Sequence, residues 1–265
     1  MKKQTKREAS SQELQTLKAD YTLQYKTLKN PLKAEKYRQK MQKKAEHRKA
    51  NEPPKRRVIE EVGNAVTHGV GALIAFACLL LMVQKAQTGL ALLSAIVYGT
   101  CFVSQMLFSC LYHSFPSGST VKRVFRRFDY STIYLQIGGT FAPLYLVYMN
   151  ERMWGHPVGT IFFVVQWLLI ATGITIVAVF GPGRIRWLHY TFYFVLGWSG
   201  IVFLPYFLAN NIPLLLYILG GGVVYTLGMI PYSLLKKKKA AHFIWHFFVL
   251  LGAITQWLGI YLYVL

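Results

Sequence analysis

The sequence contains few acidic residues and few cysteines. Of its 265 residues only 10 are Asp or Glu, against 30 that are Lys or Arg, and three are Cys. An odd number of thiols, all of them inside hydrophobic runs, argues against a disulfide framework. The sequence also has no Gly-rich phosphate loop and no CxxC pair, and the start MKKQTKREAS lacks the apolar h-region expected of a signal peptide. These absences argue against a disulfide-stabilised secreted domain and against a P-loop nucleotide-binding fold.

Long hydrophobic runs are abundant. Hydrophobic residues make up 54% of the chain, and the mean hydropathy is +0.32. Each run has roughly 20 residues or more, which is enough to cross a hydrocarbon core about 30 Å thick. We therefore predict an all-α integral membrane protein with seven transmembrane helices, multi-pass in the cell (plasma) membrane. The predicted spans are 62–84, 89–114, 128–149, 157–180, 187–208, 213–235 and 241–264.

The charged residues are concentrated at the N-terminal end. Residues 1–57 hold 18 of the 30 Lys and Arg and six of the 10 Asp and Glu. We predict a basic cytoplasmic tail over 1–57, partly helical or disordered, and a membrane domain over 58–265. Such a tail is expected to be attracted to an anionic lipid surface. No nucleic-acid partner is expected, because basic residues beside a membrane are already explained by orientation.

The short connections between the spans predict the orientation. With the tail inside, the cytoplasmic segments carry 13 positive charges, and the opposite connections carry only Lys85 and Arg152. Cytoplasmic loops are enriched in Lys and Arg, so the N-terminus is predicted to be cytoplasmic and the C-terminus extracytoplasmic. The 13 charges include Arg56, Lys122, Arg126 and the run Lys236 to Lys239.

Four predicted spans carry polar or ionisable residues near one end. In chain order these residues are Glu61, Asn64, His68, Ser109, His113, Asp129, His242 and His246. Their spacings of three, four or seven residues place the members of each span on one helix face. In the predicted orientation all of them lie within roughly 10 Å of the cytoplasmic membrane face, at 1.5 Å rise per residue. Ionisable groups inside spans are costly and are candidates for function, so their convergence predicts a polar site at that level.

The types of residue favour a metal site. His242 and His246 lie one turn apart and can bind one zinc ion together with a third His from another helix, leaving a position open for catalysis. A nearby carboxylate, Asp129 or Glu61, can serve as the base, and Ser109 can hydrogen-bond a ligand or the water. Structural roles remain open for the same types of residue. A His can lie at the membrane interface, and His189 is interpreted in this way. A Ser can pack helices together, and a Glu can stabilise a helix N-terminus.

Four sequence blocks resemble a known family. They are EEVGNAVTHGVG, SCLYHSF followed 16 residues after its His by Asp129, GGGVVYTLGMIPY and HFIWHFFVLLGA. Over about residues 58–265 the chain resembles the hemolysin III family, the bacterial branch of the progestin and adipoQ receptor superfamily. The resemblance implies a seven-helix fold with an intracellular N-terminus. It also implies a zinc ion bound by His113, His242 and His246, with Asp129 near the zinc water and Ser109 one turn before the first ligand.

The same resemblance implies supporting or structural roles for Glu61, Asn64 and His68, which match the first block. The wider superfamily resembles alkaline ceramidases and is associated with hydrolysis of lipid amides. Its bacterial members are named for haemolysis and pore formation, and they are also linked to membrane-lipid homeostasis. The basic tail of 57 residues is longer than is usual in the bacterial branch.

Three functions are considered. The first is a zinc-dependent hydrolase of a membrane lipid amide or ester, with the lipid as its substrate and Asp129 as its base. The second is a pore-forming cytolysin, which the family name favours, although the sequence has no feature of a soluble toxin. The third is a receptor or sensor with structural zinc, which would need a fourth protein ligand such as His68.

Overall fold

The structure is a computed structural model that describes residues 14–25, 30–150, 158–234 and 240–265. All the regular elements within these ranges are helices. The described chain divides into two compact units, Met1–Asn51 and Glu52–Leu265. Arg152 and Lys236 to Lys239, which were used to predict the orientation, lie outside the described residues. The predicted division at residue 57 into tail and membrane domain stays a prediction.

Within the described residues of the first unit, α1 covers 14–25 and α2 covers Pro31–Ala50, and α2 is the strongly basic one. The side chain of Asn30 caps α2 by accepting a hydrogen bond from the backbone N–H of Lys33, at 3.1 Å. Pro31 occupies the first turn of α2, where a missing N–H costs nothing. Asn30 and Pro31 thus start the second helix of this segment.

The described residues of the second unit form eight α-helices and two short helices of other types. They are α3 (Val58–Lys85), α4 (Gly89–Ser114), α5 (Thr120–Pro143), a π-helix (Leu144–Met149), α6 (Val158–Phe180), α7 (Arg186–Gly197), a 3₁₀-helix (Ser199–Phe203), α8 (Leu204–Asn210), α9 (Ile212–Leu234) and α10 (Ala241–Tyr263). Thr88 caps α4 and Ser119 caps α5, each with its side-chain oxygen. Neighbouring helices in the sequence pack together, and α10 packs against α3 as well as α9.

Six helices of the described chain are long and apolar enough to cross a membrane. These are Val58–Lys85, Gly89–Ser114, Val158–Phe180, Arg186–Asn210, Ile212–Ile230 and Ala241–Tyr263. Large apolar side chains on them face outward: Leu73 is 73% exposed, Leu168 is 64% and Val195 is 60%. Exposed apolar surface of this extent is expected where helices contact lipid. The prediction of an all-helical multi-pass membrane protein is confirmed.

The third predicted span, 128–149, is built differently from the prediction. Its helix begins at Thr120, because Ser119 caps it there, so residues predicted to form a cytoplasmic connection are helical. The first ten residues of α5 include five charged ones, and the apolar part that follows is divided between α5 and the π-helix after Pro143. This helix is therefore not among the six, and the count of seven spans stays a prediction.

Close contact between α9 and α10 fixes the position of the C-terminal helix. A Cβ atom at Gly221 would lie 2.9 Å from the backbone oxygen of Gly252, and one at Gly228 would lie 2.5 Å from Cβ of Phe248. Any larger residue at these two positions would push the helices apart. The GGGVVYTLGMIPY block thus acts as a packing face that holds α10.

Candidate metal centre

Three histidines from two helices meet in the second unit. His113 lies in the last turn of α4, and His242 and His246 lie in the first two turns of α10. One ring nitrogen of each lies within 4.8 Å of the others. His113 and His246 are buried, whereas His242 is partly exposed. We call these three residues the histidine site.

The distances within the histidine site suit metal ligands. Nε2 of His242 lies 3.2 Å from Nε2 of His113 and 3.1 Å from Nε2 of His246. Donors placed tetrahedrally about 2.0–2.1 Å from a zinc ion would lie roughly 3.3–3.4 Å apart. Three imidazole nitrogens are also a donor set that zinc prefers. The residues present therefore fit a bound transition-metal ion.

Hydrogen bonding alone does not explain these contacts. In a neutral ring each nitrogen carries either a proton or a lone pair. Nε2 of His242 therefore cannot donate to His113 and also accept from His246, so one of the two close contacts would be unfavourable. A cation at the centre resolves this conflict, because all three Nε2 atoms then present lone pairs.

Glu61 sets the tautomer of His113. Its Oε2 atom lies 2.5 Å from Nδ1 of His113, so Nδ1 donates the proton and Nε2 keeps its lone pair. A carboxylate bound to the outer nitrogen of a ligand histidine is common at metal sites, where it orients the ring. The side-chain amide of Asn64 contacts the same ring, with its nitrogen 3.4 Å from Nδ1.

Lys122 is a member of this region that the sequence analysis treated only as an orientation charge. Its side chain is fully buried, and Nζ lies 3.2 Å from Oε1 of Glu61. Nζ also donates to the backbone oxygens of Tyr112 at 3.1 Å and Phe115 at 2.8 Å. The third residue of a basic helix is expected to be exposed, so the sequence gives no signal that Lys122 is buried. Its burial results from the packing of α5 against the end of α4.

His68 supports the histidine site from behind. Its ring stacks on that of His246 with centroids 3.8 Å apart, and it is 3% exposed. It does not belong to the group of converging ring nitrogens. Neither of its nitrogens has a hydrogen-bond partner among the described residues. The structure therefore places His68 beside a proposed ligand but outside the set of three.

Ser109 and Asp129 lie together on neighbouring helices. The Ser109 side chain is buried on α4 one turn before His113, and its hydroxyl hydrogen-bonds the Asp129 carboxyl group on α5. Asp129 is partly exposed. The cations that act on this carboxylate are Arg56, Arg126 and Lys122, and two of them, Arg56 and Lys122, also act on His113. Asp129 therefore shares the electrostatic surroundings of the histidine site.

A second group of polar side chains borders His242. The Tyr232 ring centroid lies 5.7 Å from that of His242. The Tyr232 hydroxyl contacts those of Tyr190 at 3.1 Å and Tyr130 at 3.5 Å. These tyrosines are not among the site residues predicted from the sequence, although Tyr130 directly follows Asp129 and Tyr232 ends the GGGVVYTLGMIPY block.

Fold and site together define a multi-pass helical membrane protein with a largely buried group of three histidines at one end of its bundle. Comparison with known families matches residues 56–257 to the family described as haemolysin-III related. The chain is 33% identical to Hemolysin-3 of Bacillus cereus over 215 residues, which cover 78% of this chain and 93% of that protein. It is 32% identical to the Hemolysin-3 homolog of Bacillus subtilis (strain 168) over 208 residues, covering 77% and 94%. The chain therefore belongs to the haemolysin-III related family, as the sequence analysis predicted.

Membership and fold agree with a location in the plasma membrane of bacteria. The eight predicted site residues all lie in four helices, which are α3, α4, α5 and α10. Their roles as ligand, base or supporting residue stay predictions.

Proposed function

We propose that this protein is a zinc-dependent hydrolase that cleaves an amide or ester bond of a membrane lipid and serves lipid homeostasis. The observation that carries the proposal is the convergence of one ring nitrogen from each of three histidines. The carboxylate Asp129 is not one of these ligands, but it shares the cationic neighbours Arg56 and Lys122 with His113. Three protein ligands with one open position is the arrangement of catalytic zinc.

His113, His242 and His246 would hold the metal. When bound, zinc acts as a Lewis acid that polarises a carbonyl oxygen and makes water acidic enough to be deprotonated near neutral pH. Asp129 accepts the proton from the attacking water and passes it to the leaving group. Ser109 orients the Asp129 carboxylate through its hydrogen bond. The partial exposure of His242 and Asp129 leaves a side from which a substrate can approach.

A closed structural zinc site is the first competing function. It would need a fourth protein ligand, and His68 is the natural candidate. The described residues supply three converging donors, and His68 is not among them. This favours an open site over a receptor or sensor in which zinc only ties helices together.

Haemolysis is the second competing function, because the Bacillus cereus relative is named Hemolysin-3. A pore-forming activity would not require the histidine site. Purified protein in liposomes should therefore be tested for dye release with wild type and His246→Ala side by side. Dye release that is equal in the two proteins, without lipid hydrolysis in either, would favour the pore over the hydrolase.

The orientation and the tail complete the proposal. We place the histidine site at the cytoplasmic face, with the N-terminus inside and the C-terminus outside. The basic tail would lie against anionic lipid, since α2 carries exposed Lys and Arg side chains along its length.

The experiment is a paired measurement of zinc content and hydrolysis on detergent-purified protein. Wild type should contain about one zinc per chain and release fatty acid from an amide or ester lipid in a broad panel. His246→Ala should lose both properties. His189→Ala is the matched control, because His189 is also a buried histidine but is not part of the histidine site. Its Nδ1 lies 3.0 Å from the hydroxyl of Tyr134. No hydrolysis by zinc-loaded wild type across the panel would refute the proposed activity.

A further inference from the structure

Lys122 connects three helices at the histidine site. Its ammonium group forms an ion pair with Glu61 of α3 and donates to the backbone oxygens of Tyr112, in the last turns of α4, and of Phe115, which caps that helix. Its own backbone N–H donates to Oγ of Ser119, at 3.1 Å, and this hydrogen bond caps α5. A single side chain thus joins the start of α5 to the end of α4 and to the first turn of α3.

The ammonium group of Lys122 has three polar contacts. It donates to two backbone oxygens near the C-terminal end of α4, where the helix dipole also favours a cation. It also forms an ion pair with Oε1 of Glu61, at 3.2 Å. Burying an unpaired ammonium costs several kcal/mol, roughly, so a fully buried lysine persists only where such partners are supplied.

Glu61 occupies the position between Lys122 and the metal ligand. One carboxylate oxygen pairs with Nζ, and the other accepts the Nδ1 proton of His113. A carboxylate bound to the outer nitrogen of a ligand histidine orients the ring, and it can do so only while it is itself held in place. The orientation of His113 therefore depends on Lys122 through Glu61.

We propose that Lys122 is a positioning residue of the metal centre. It holds the Glu61 carboxylate in place against Nδ1 of His113, so that the ring is oriented with Nε2 toward the other two histidines, and it holds the end of α4 on which His113 lies. This inference rests on the metal site of the proposed function, but it does not require turnover. The inference is therefore tested by zinc affinity, which can be measured whether or not the protein hydrolyses a lipid.

The experiment compares four variants by competition for zinc with a chelator of known affinity. Lys122→Met removes the ammonium group with little change of volume, Glu61→Gln removes the carboxylate charge, and a third variant combines both. Lys85→Met is the matched control. Lys85 also donates to a backbone oxygen in the last turn of a helix, that of Tyr261 in α10, and its Nζ lies 4.5 Å from the Tyr261 ring centroid. None of its contacts involves the histidine site.

Lys122→Met and Glu61→Gln should each weaken zinc binding about 10–100-fold, the usual effect of losing a group that orients a metal ligand. The double variant should bind within about threefold of Glu61→Gln alone, because Lys122 acts through Glu61 and residues in one network are not additive. Lys85→Met should lower the thermal midpoint of the zinc-free protein while leaving zinc affinity unchanged.

Unchanged zinc affinity in Lys122→Met would overturn the proposal and leave only a structural role. A double variant much weaker than Glu61→Gln would overturn it as well, because the two residues would then act independently. If Lys122→Met does not fold, zinc affinity can still be compared between the double variant and Glu61→Gln. Both proteins lack the Glu61 carboxylate, so neither buries it without its lysine partner, and the comparison still tests whether Lys122 acts through Glu61. Wild type that binds no zinc refutes the inference together with the site. Wild type that binds zinc without hydrolysis refutes only the proposed activity.

Discussion

The ring of His68 stacks on the ring of His246, with centroids 3.8 Å apart. The two side chains come from α3 and α10, and His246 directs Nε2 toward His242, 3.1 Å away. His68 thus packs against a proposed ligand without joining the set of three. This geometry distinguishes a residue that supports the site from one that binds the metal.

We therefore predict that His68→Ala keeps most of its zinc. Loss of the stacked ring should destabilise the protein by about 0.5–3 kcal/mol, as for most buried truncations. Zinc content and thermal midpoint measured on the same preparation check this. His113→Ala serves as the comparison, and an empty site in His68→Ala with a full one in His113→Ala would reverse the assignment of ligands.

The three proposed ligands should behave alike. His113→Ala, His242→Ala and His246→Ala should each lower zinc occupancy from about one per chain. Because the metal would join α4 to α10, chelation should lower the thermal midpoint of wild type. At a free metal concentration of 100 times Kd, binding adds about 2.7 kcal/mol to the free energy of unfolding. Chelation should hardly change the three variants. Equal chelator-induced shifts in wild type and all three variants would mean that any stabilising metal binds elsewhere.

The positions of most membrane helices could be predicted from the sequence. The predicted span 89–114 coincides with α4, and 157–180 differs by one residue from α6, because apolar runs end where polar or turn residues begin. The spacing of His242 and His246 also predicted their shared face. These features depend on local sequence, which a hydropathy pattern reports directly.

Other features depend on contacts between distant residues. Lys122 was counted among cytoplasmic charges, yet it is fully buried, because α5 starts eight residues before its predicted span and places its first turn against α4. His189, interpreted from the sequence as an interfacial residue, has a buried side chain bonded to Tyr134, and its depth in the membrane stays a prediction. Neither outcome is encoded by a local pattern, since each requires knowledge of which helix lies opposite.

The orientation predicts where reporters should be found. A reporter fused after Leu265 should be extracytoplasmic, and one inserted at Ser117–Gly118, in the turn before α5, should be cytoplasmic. The physical reason is the excess of Lys and Arg in the connections on the side of the tail. Paired fusions that are active in only one compartment make the measurement. A cytoplasmic C-terminus would mean an even number of crossings, which would remove α5 with the π-helix, or another helix, from the set of spans.

The effect of replacing Asp129 distinguishes an enzyme from a protein with a structural metal site. If it does no more than pair with Arg126 and its other cationic neighbours near the membrane surface, it contributes about 0–1 kcal/mol to stability. In that case Asp129→Asn should leave zinc content, stability and any hydrolysis nearly unchanged. If it is the general base, the Asn side chain keeps the shape and the contact with Ser109 but cannot accept the proton. Loss of a general base typically lowers the rate about 10²–10⁴-fold.

We predict that Asp129→Asn retains its zinc and loses hydrolysis by about 10²–10⁴-fold, because the carboxylate is not one of the converging ligands. Zinc content and lipid amide or ester hydrolysis should be measured on one preparation each of wild type, Asp129→Asn and Ser109→Ala. Ser109→Ala keeps the base but loses the hydroxyl that orients it, so its rate should fall less than that of Asp129→Asn. Equal hydrolysis by wild type and Asp129→Asn would contradict the role of Asp129 as base. Loss of zinc from Asp129→Asn would instead make Asp129 a ligand, and the site would then be closed by four protein groups rather than open for catalysis.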